Sequence, residues 1–160
     1  MMNRQVYKMF PALLLAGALL CQSTLAFAET KPAASIPAAD QVLPAALAAS
    51  LQDKAAARPL ILQVGFQKLY AEAHIPGAEY VGPAREDGGL QALRQRVAKL
   101  PHDSALVIYC GCCPWSRCPN IAAAYDQLHA LGFTNVKVLY IAEDFGTDWV
   151  SHGYPVDHGG

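Results

Sequence analysis

One short apolar segment, residues 105–109 (ALVIY), limits what the chain can fold into more than any other stretch. Its side chains favour β-structure and none is charged, which predicts a central strand that is buried on both faces. The loop CGCCPWSRCPN follows immediately at residues 110–120 and holds four of the five cysteines. A helical pattern begins at about Asn120. A buried strand must therefore lead into a helix through a loop crowded with sulfur.

Strand and helix patterns alternate along the rest of the chain. Leu43, Leu47 and Leu51 recur every four residues and predict a short amphipathic helix. The apolar stretch at residues 59–65 predicts the next buried strand. Later patterns predict a helical turn and a short extended piece within 66–81, helices at 90–100 and 120–132, a strand at 136–140 and a short helix near the end. Alternating strands and helices predict an α/β domain with a mainly parallel sheet.

The amino terminus has the order of a secretory signal peptide. Arg4 and Lys8 precede a short apolar core, and an Ala-x-Ala pattern ends at Ala28. The apolar run is too short to span a bilayer comfortably. An uncleaved anchor and lipidation at Cys21 remain alternatives. We predict export, which makes the protein periplasmic or secreted.

The predicted organisation has three parts. They are a signal peptide at residues 1–28, a flexible Ala/Pro-rich lead-in at 29–40 and one domain at 41–160. After signal cleavage we expect no membrane span. An exported compartment of the bacterial type is oxidising and permits disulfides.

Composition and charge exclude several classes of function. The net charge of -1 supplies no basic face, which excludes general nucleic-acid binding. Because 53% of the residues are hydrophobic, the chain can bury a core without help from metal ions or disulfides. No cofactor is expected.

The cysteine loop stands where a parallel sheet usually forms its sites, at the carboxyl end of a strand and the start of a helix. Cys110 ends the predicted strand, so its sulfur should lie in the bowl of the loop. A helix amino terminus and a nearby cation favour the thiolate, which is the reactive form of cysteine. Arg117 is the only cation in the loop and could bind an anion, and Trp115 could form a wall of the pocket. These residues suit a thiolate that carries a transferred sulfur atom or attacks a small anionic substrate.

Three segments in order resemble the rhodanese-like (sulfurtransferase) domain family. They are HIPGAEYV at 74–81, ALVIYC at 105–110 and VLYIAEDFGTDWVSHGYPV at 138–156. The resemblance covers most of the chain beyond the lead-in. It implies an α/β fold in which helices cover both faces of a mainly parallel central sheet.

The resemblance also implies a mechanism. The cysteine of this family takes a sulfane sulfur from a small anionic donor such as thiosulfate and becomes a persulfide. It then passes the sulfur to a thiol or another acceptor, while N–H groups of the loop hold the persulfide. Cys110 matches that cysteine by position.

The chain departs from the family pattern at two places. The usual Asp-Val-Arg after the first core strand is Gln-Val-Gly at residues 63–65. The usual loop has four residues between the cysteine and a basic residue, and that spacing joins Cys112 to Arg117 but leaves Arg117 two residues late from Cys110. Either cysteine could be the working sulfur, and the preceding strand favours Cys110. The Cys-x5-Arg spacing of related phosphatases fits neither.

The other loop cysteines, Cys112, Cys113 and Cys118, have three possible roles. One could resolve an oxidised Cys110, two could form a disulfide that shapes the loop, or the loop could bind a soft metal. Structural zinc sites usually pair separated Cys-x2-4-Cys units, which this loop lacks. We therefore predict resolving or disulfide roles and no metal site. The alternative function is a non-catalytic thiol-redox or copper- or zinc-binding module, with a periplasmic redox protein as its partner.

Overall fold

The structure, a computed structural model, describes residues 36–160. The predicted signal peptide and most of the predicted lead-in lie outside the described residues. Within the described part, no helix combines the length and the apolar character needed to cross a membrane.

Strands and helices alternate as predicted. The strands are β1 (Gln41–Val42), β2 (Leu60–Gln63), β3 (Glu79–Tyr80), β4 (Leu106–Tyr109) and β5 (Val136–Leu139). The α-helices are α1 (Pro44–Gln52), α2 (Gln67–Glu72), α3 (Asp87–Val97), α4 (Pro119–Ala130) and α5 (Phe145–Asp148). Short 3-10 turns lie at Ala38–Asp40, Trp115–Arg117 and Val150–His152.

The five strands form one sheet in the order β1-β5-β4-β2-β3, and all pairs are parallel. β4 is central, and all four of its residues are buried, which confirms the predicted central strand except at Ala105, which lies outside β4 and is exposed. In the pairing of β2 with β4, Gln63 stands opposite Tyr109. The two strands therefore end side by side, at the edge of the sheet where the cysteine loop begins.

Alternate residues of β4 face opposite layers of helices. Leu106 and Ile108 share a core with α3 and α4, and Cys110 continues on that same face. Val107 and Tyr109 share the other core with α1 and α5. Because side chains alternate along a strand, the register of β4 directs the Cys110 sulfur toward the start of α4.

Two details near the amino end differ from the sequence pattern. Leu43, expected on the buried face of α1, precedes Pro44 as the cap residue and is 60% exposed, so only Leu47 and Leu51 of that series are buried.

Ile36, which falls in the predicted lead-in, is buried in the core. The hydroxyl of Tyr125 donates to the carboxylate of Asp40 at 2.7 Å, which ties this segment to α4.

The carboxyl-terminal segment packs against the sheet around Trp149. That side chain is fully buried, and its indole N–H donates to the carbonyl of Pro155 at 2.8 Å. His74 fixes the turn at the start of the segment 74–81: its ring stacks on Tyr70 and makes a 2.8 Å hydrogen bond with the Tyr70 carbonyl, and its backbone pairs with Asp157 in both directions. Trp149 and His74 are therefore both buried and hold the carboxyl-terminal segment and the turn at 74–81 in place.

Two adjacent glycines in the first turn of α3 should respond in opposite ways to alanine. A Cβ at Gly89 would lie 2.2 Å from the carbonyl oxygen of Pro83, whereas a Cβ at Gly88 would meet no atom within 4 Å. We expect Gly89→Ala to lower the free energy of unfolding by about 1–3 kcal/mol through overpacking. Gly88→Ala should raise it by about 0.5–1 kcal/mol through helix propensity. Urea unfolding of both variants measures the difference, and equal effects would contradict the close packing of α3 on the loop before it.

Candidate active site

The backbone at the end of β4 turns sharply through Gly111. This glycine has a φ of +82°, a conformation that side chains disfavour. A Cβ there would also lie 2.9 Å from the Cβ of Phe145, and the Phe145 N–H donates to the Gly111 carbonyl at 3.0 Å. The turn lets the chain leave the direction of β4 immediately after Cys110.

The last residue of β2 and the two residues after it pack beside Cys110. The amide nitrogen of Gln63 donates to the Cys110 carbonyl at 3.0 Å, and its amide oxygen accepts from the Gly65 N–H at 3.1 Å. The Val64 N–H donates to the Tyr109 carbonyl at 2.8 Å. Gln63 is almost completely buried, so each of these polar groups depends on its partner.

Gly65 makes room for the Cys110 side chain. A Cβ at this position would lie 2.7 Å from both the sulfur and the carbonyl oxygen of Cys110. Any larger residue would therefore displace the sulfur. This contact gives a physical reason for Gln-Val-Gly at residues 63–65: a neutral amide joins the two strand ends, and a glycine leaves the space that Cys110 occupies.

The Cys110 sulfur is surrounded by hydrogen-bond donors. It lies 3.4 Å from the side-chain nitrogen of Asn120 and 3.2 Å from the sulfur of Cys112. The thiol of Cys118 lies within 4.8 Å of it, and this thiol and the backbone N–H of Cys112 also favour its thiolate form. Cys110 itself is only 2% exposed. A buried thiolate is favourable only when it is hydrogen-bonded in this way.

These donors control the ionisation of the loop cysteines. Hydrogen bonding from Cys118, with smaller contributions from Cys112 and Asn120, outweighs burial and lowers the pKa of Cys110 to about 6. The pKa of Cys118 is raised because its proton is held in the bond to Cys110. Burial, together with hydrogen bonds to Cys113 and Cys110, raises the pKa of Cys112. Cys110 is therefore the thiol that ionises first of these three.

Asn120 was not identified from the sequence as a site residue. It lies in the first turn of α4 and is buried, and its side-chain oxygen accepts from the Arg85 N–H at 3.0 Å. That bond fixes the amide so that its nitrogen points at Cys110. The sequence did contain one indication of a site residue here: Asn120 is a polar residue directly after Pro119 at the start of a helix, next to Ile121 on the buried face.

Three of the four loop sulfurs converge. The sulfur atoms of Cys110, Cys112 and Cys118 all lie within 4.8 Å of one another. Cys113 lies beside Cys112, with 3.1 Å between their sulfurs, but it does not belong to this group of three. All four cysteines are free thiols in the structure.

The other two predicted site residues lie farther out in the loop. Arg117 ends the Trp115–Arg117 turn and is exposed, and its side chain forms no hydrogen bond or ion pair within residues 36–160. Trp115 is half-buried, with its ring 6.0 Å from that of Tyr140, and it packs against the core on the α4 side of the sheet. Within residues 36–160, the hydrogen bonds of the Cys110 sulfur go to Cys112 and Asn120, and not to Trp115 or Arg117.

A cleft of about 750 Å³ opens beside the loop. Its wall includes Gly111 and Cys112, so it borders one of the three residues whose sulfurs converge. Apolar side chains dominate the lining, and the charged residues at the cleft are Lys68, Glu72 and Asp144. The apolar residues are Phe66, Leu69, Ala73, Phe145 and Val150. Sequence reasoning did not find this cleft, because α2 and α5, which both line it, are far apart in the chain.

Comparisons with known structures place this geometry in a family of folds. The Rhodanese-like domain of a protein from Anabaena sp is 20% identical, with a TM-score of 0.54 over 74% of this chain and 79% of that one. A protein from Bacillus halodurans is also 20% identical, with a TM-score of 0.56 over 74% and 76% of the two chains. At these identities the likeness shows the fold.

A third similar structure is the enzyme EanB, solved as a cysteine persulfide with ergothioneine. It is 21% identical, with a TM-score of 0.55, and the alignment covers 74% of this chain but only 28% of EanB. A search of curated proteins found no match.

The model of the Rhodanese-like domain family matches residues 43–140, which is more than half of the chain. The match spans β4, the cysteine loop and α4. The five-stranded parallel sheet agrees with this match, and together they confirm the resemblance that was seen in the sequence. The chain therefore belongs to the rhodanese-like domain family.

Proposed function

We propose that the chain is a sulfurtransferase that carries sulfane sulfur as a persulfide of Cys110. The observation that supports this proposal is the set of hydrogen-bond donors around the buried Cys110 sulfur at the carboxyl end of β4. These donors lower the pKa of Cys110 to about 6. Family membership supports the proposal, and so does EanB, whose structure shows a cysteine persulfide on a similar fold. The proposed compartment is the periplasm or the exterior, from the signal pattern at residues 1–28.

The first step loads the sulfur. The Cys110 thiolate attacks the outer sulfur of a donor such as thiosulfate. A bond forms between the Cys110 sulfur and that atom, the sulfur–sulfur bond of the donor breaks, and sulfite leaves with the bonding electrons. The N–H of Cys112 and the side-chain amide of Asn120, which donate to the thiolate, also stabilise charge on the persulfide.

The second step delivers the sulfur. The thiolate of an acceptor attacks the outer sulfur of the persulfide, a new sulfur–sulfur bond forms, and Cys110 leaves as a thiolate. Its low pKa makes it a good leaving group in this exchange. The cleft beside Cys112 provides room for the acceptor, and its apolar wall of Phe66 and Phe145 suits a thiol attached to an apolar or aromatic group.

Substitution of single cysteines tests which sulfur is loaded. After reduction and treatment with thiosulfate, mass spectrometry of the wild-type chain should show the gain of one sulfur atom on the peptide that contains Cys110. Cys110→Ser should abolish this gain. Cys113→Ser is the matched control and should retain it, because Cys113 lies outside the group around the Cys110 sulfur.

Two results would count against the assignment. If Cys112→Ser abolished the gain and Cys110→Ser did not, Cys112 would be the working sulfur. A wild-type chain that formed a Cys110–Cys112 disulfide but gained no sulfur would be a thiol-redox module. The 3.2 Å between these two sulfurs is the observation that favours this second function.

The ionisation of Cys110 should be visible as a function of pH. Because its pKa lies at about 6, below the ordinary value of 9.0, the thiolate should appear as the pH rises through 6 and be the dominant form at neutral pH. The difference in ultraviolet thiolate absorbance between the wild-type chain and Cys110→Ser measures this transition. Cys118→Ala removes the strongest donor and should raise the midpoint by about one pH unit or more, since a hydrogen bond to a charged group contributes about 1.5–3 kcal/mol.

The control for this titration is Cys113→Ser, which should leave the midpoint in place. A wild-type midpoint close to that of an ordinary thiol, or a midpoint that Cys118→Ala does not move, would remove the physical basis of the proposal.

Arg117 is proposed to attract the anionic donor. Its exposed guanidinium has no partner within residues 36–160 and is free to turn toward an anion at the loop. We expect Arg117→Ala to raise the KM for thiosulfate roughly 2- to 5-fold with kcat nearly unchanged, the magnitude of an exposed charge contact. Lys99→Ala removes an equal charge from an exposed residue just beyond the end of α3 and serves as the control. Equal effects of both variants would show that Arg117 contributes only to the net charge.

A further inference from the structure

We infer that the sulfur group of Cys110, Cys112 and Cys118 is a binding site for a monovalent soft metal ion, Cu(I), with three thiolate ligands. This inference goes beyond sulfur transfer and reverses the prediction that the loop holds no metal. That prediction considered four ligands in one short loop. The structure brings together three.

The distances suit a three-coordinate site. With metal–sulfur bonds of about 2.3 Å, three sulfurs around one ion lie about 4 Å from one another. The Cys110 and Cys112 sulfurs are 3.2 Å apart, and no pair in the group exceeds 4.8 Å. The loop therefore needs to move by roughly 1 Å or less at each sulfur to enclose an ion. Sulfur ligands of this kind select soft ions, copper(I) among them.

The number of ligands favours copper over zinc. No fourth cysteine, histidine or carboxylate joins the group within the described part of the chain. Structural zinc is almost always held by four ligands, so zinc here would need an external one. Copper(I) is satisfied by three soft sulfurs.

The surroundings of the group resemble those of a metal centre. The Asn120 amide nitrogen, 3.4 Å from the Cys110 sulfur, and the Cys112 N–H both donate to a ligand, as partners around a metal commonly do. Cys110 and Cys118 are buried, while Cys112 is half-buried and lines the cleft. The cleft gives an ion a route to the site, and burial shields bound copper(I) from water and oxidants.

Anaerobic titration tests this site. The fully reduced chain is titrated with Cu(I) in competition with a chromophoric Cu(I) chelator, and in parallel with Zn(II). We expect one Cu(I) per chain and weaker binding of zinc. Cys113→Ser, the matched control, should bind like the wild type. Replacing any one of Cys110, Cys112 and Cys118 by serine should weaken Cu(I) binding by roughly 100-fold or more. Even residues that only hydrogen-bond to metal ligands contribute about 10- to 100-fold to metal affinity.

Several outcomes would overturn the inference: no binding of copper by the wild type, tighter binding of zinc, or loss of binding in Cys113→Ser. X-ray absorption of the copper-loaded chain should show three sulfur neighbours and no nitrogen or oxygen. Cys118 is fully buried, so Cys118→Ser could fail to fold, and circular dichroism is therefore recorded for each variant. Cys112 is half-buried, which makes Cys112→Ser the decisive substitution. Sulfur loading is measured on the metal-free wild type, which separates failure of this site from failure of sulfur transfer.

Discussion

The parallel pairing of β2 with β4 is the interaction on which the site depends. It places the chain after Gln63 directly beside Cys110, where one buried amide joins the two strand ends. The contact leaves no space for a side chain at Gly65, since a Cβ there would collide with the sulfur. A residue far from Cys110 in sequence thus determines whether the sulfur can occupy its position.

The electrostatics of the loop follow from this packing. A thiolate on a 2% exposed side chain is costly unless donors replace the water that it has lost. Asn120, the Cys112 N–H and the Cys118 thiol supply those donors from three different points of the loop and helix. The other three loop cysteines therefore differ in position: Cys112 and Cys118 lie beside the Cys110 sulfur, whereas Cys113 is not part of this group. The same convergence that favours one thiolate for sulfur transfer makes a group of three sulfurs that suits a soft metal.

Much of the fold was readable in the sequence, because its strands and helices carry local patterns. The uniform apolar character of ALVIY indicated a central strand, and the helical pattern at residues 90–100 indicated α3, whose Leu93 and Val97 are buried. Leu43 fitted the pattern of α1 and is nevertheless exposed, because Pro44 begins the helix and leaves Leu43 as its cap. Periodicity identifies a face, but where that face begins depends on backbone geometry at the helix end.

The sequence by itself determined the α/β architecture, the family and the identity of Cys110 as the residue at the end of a buried strand. Those properties depend on residues that are close together in the chain. Only the tertiary structure decided which groups surround the sulfur. Asn120 is held by the backbone of Arg85, and Gln63 and Gly65 arrive from a different strand. Likewise, three of the four loop thiols converge because the turn at Gly111 and the start of α4 fold the loop back on itself. Contacts between segments distant in sequence arise from the packing of the sheet and helices, and no local pattern encodes them.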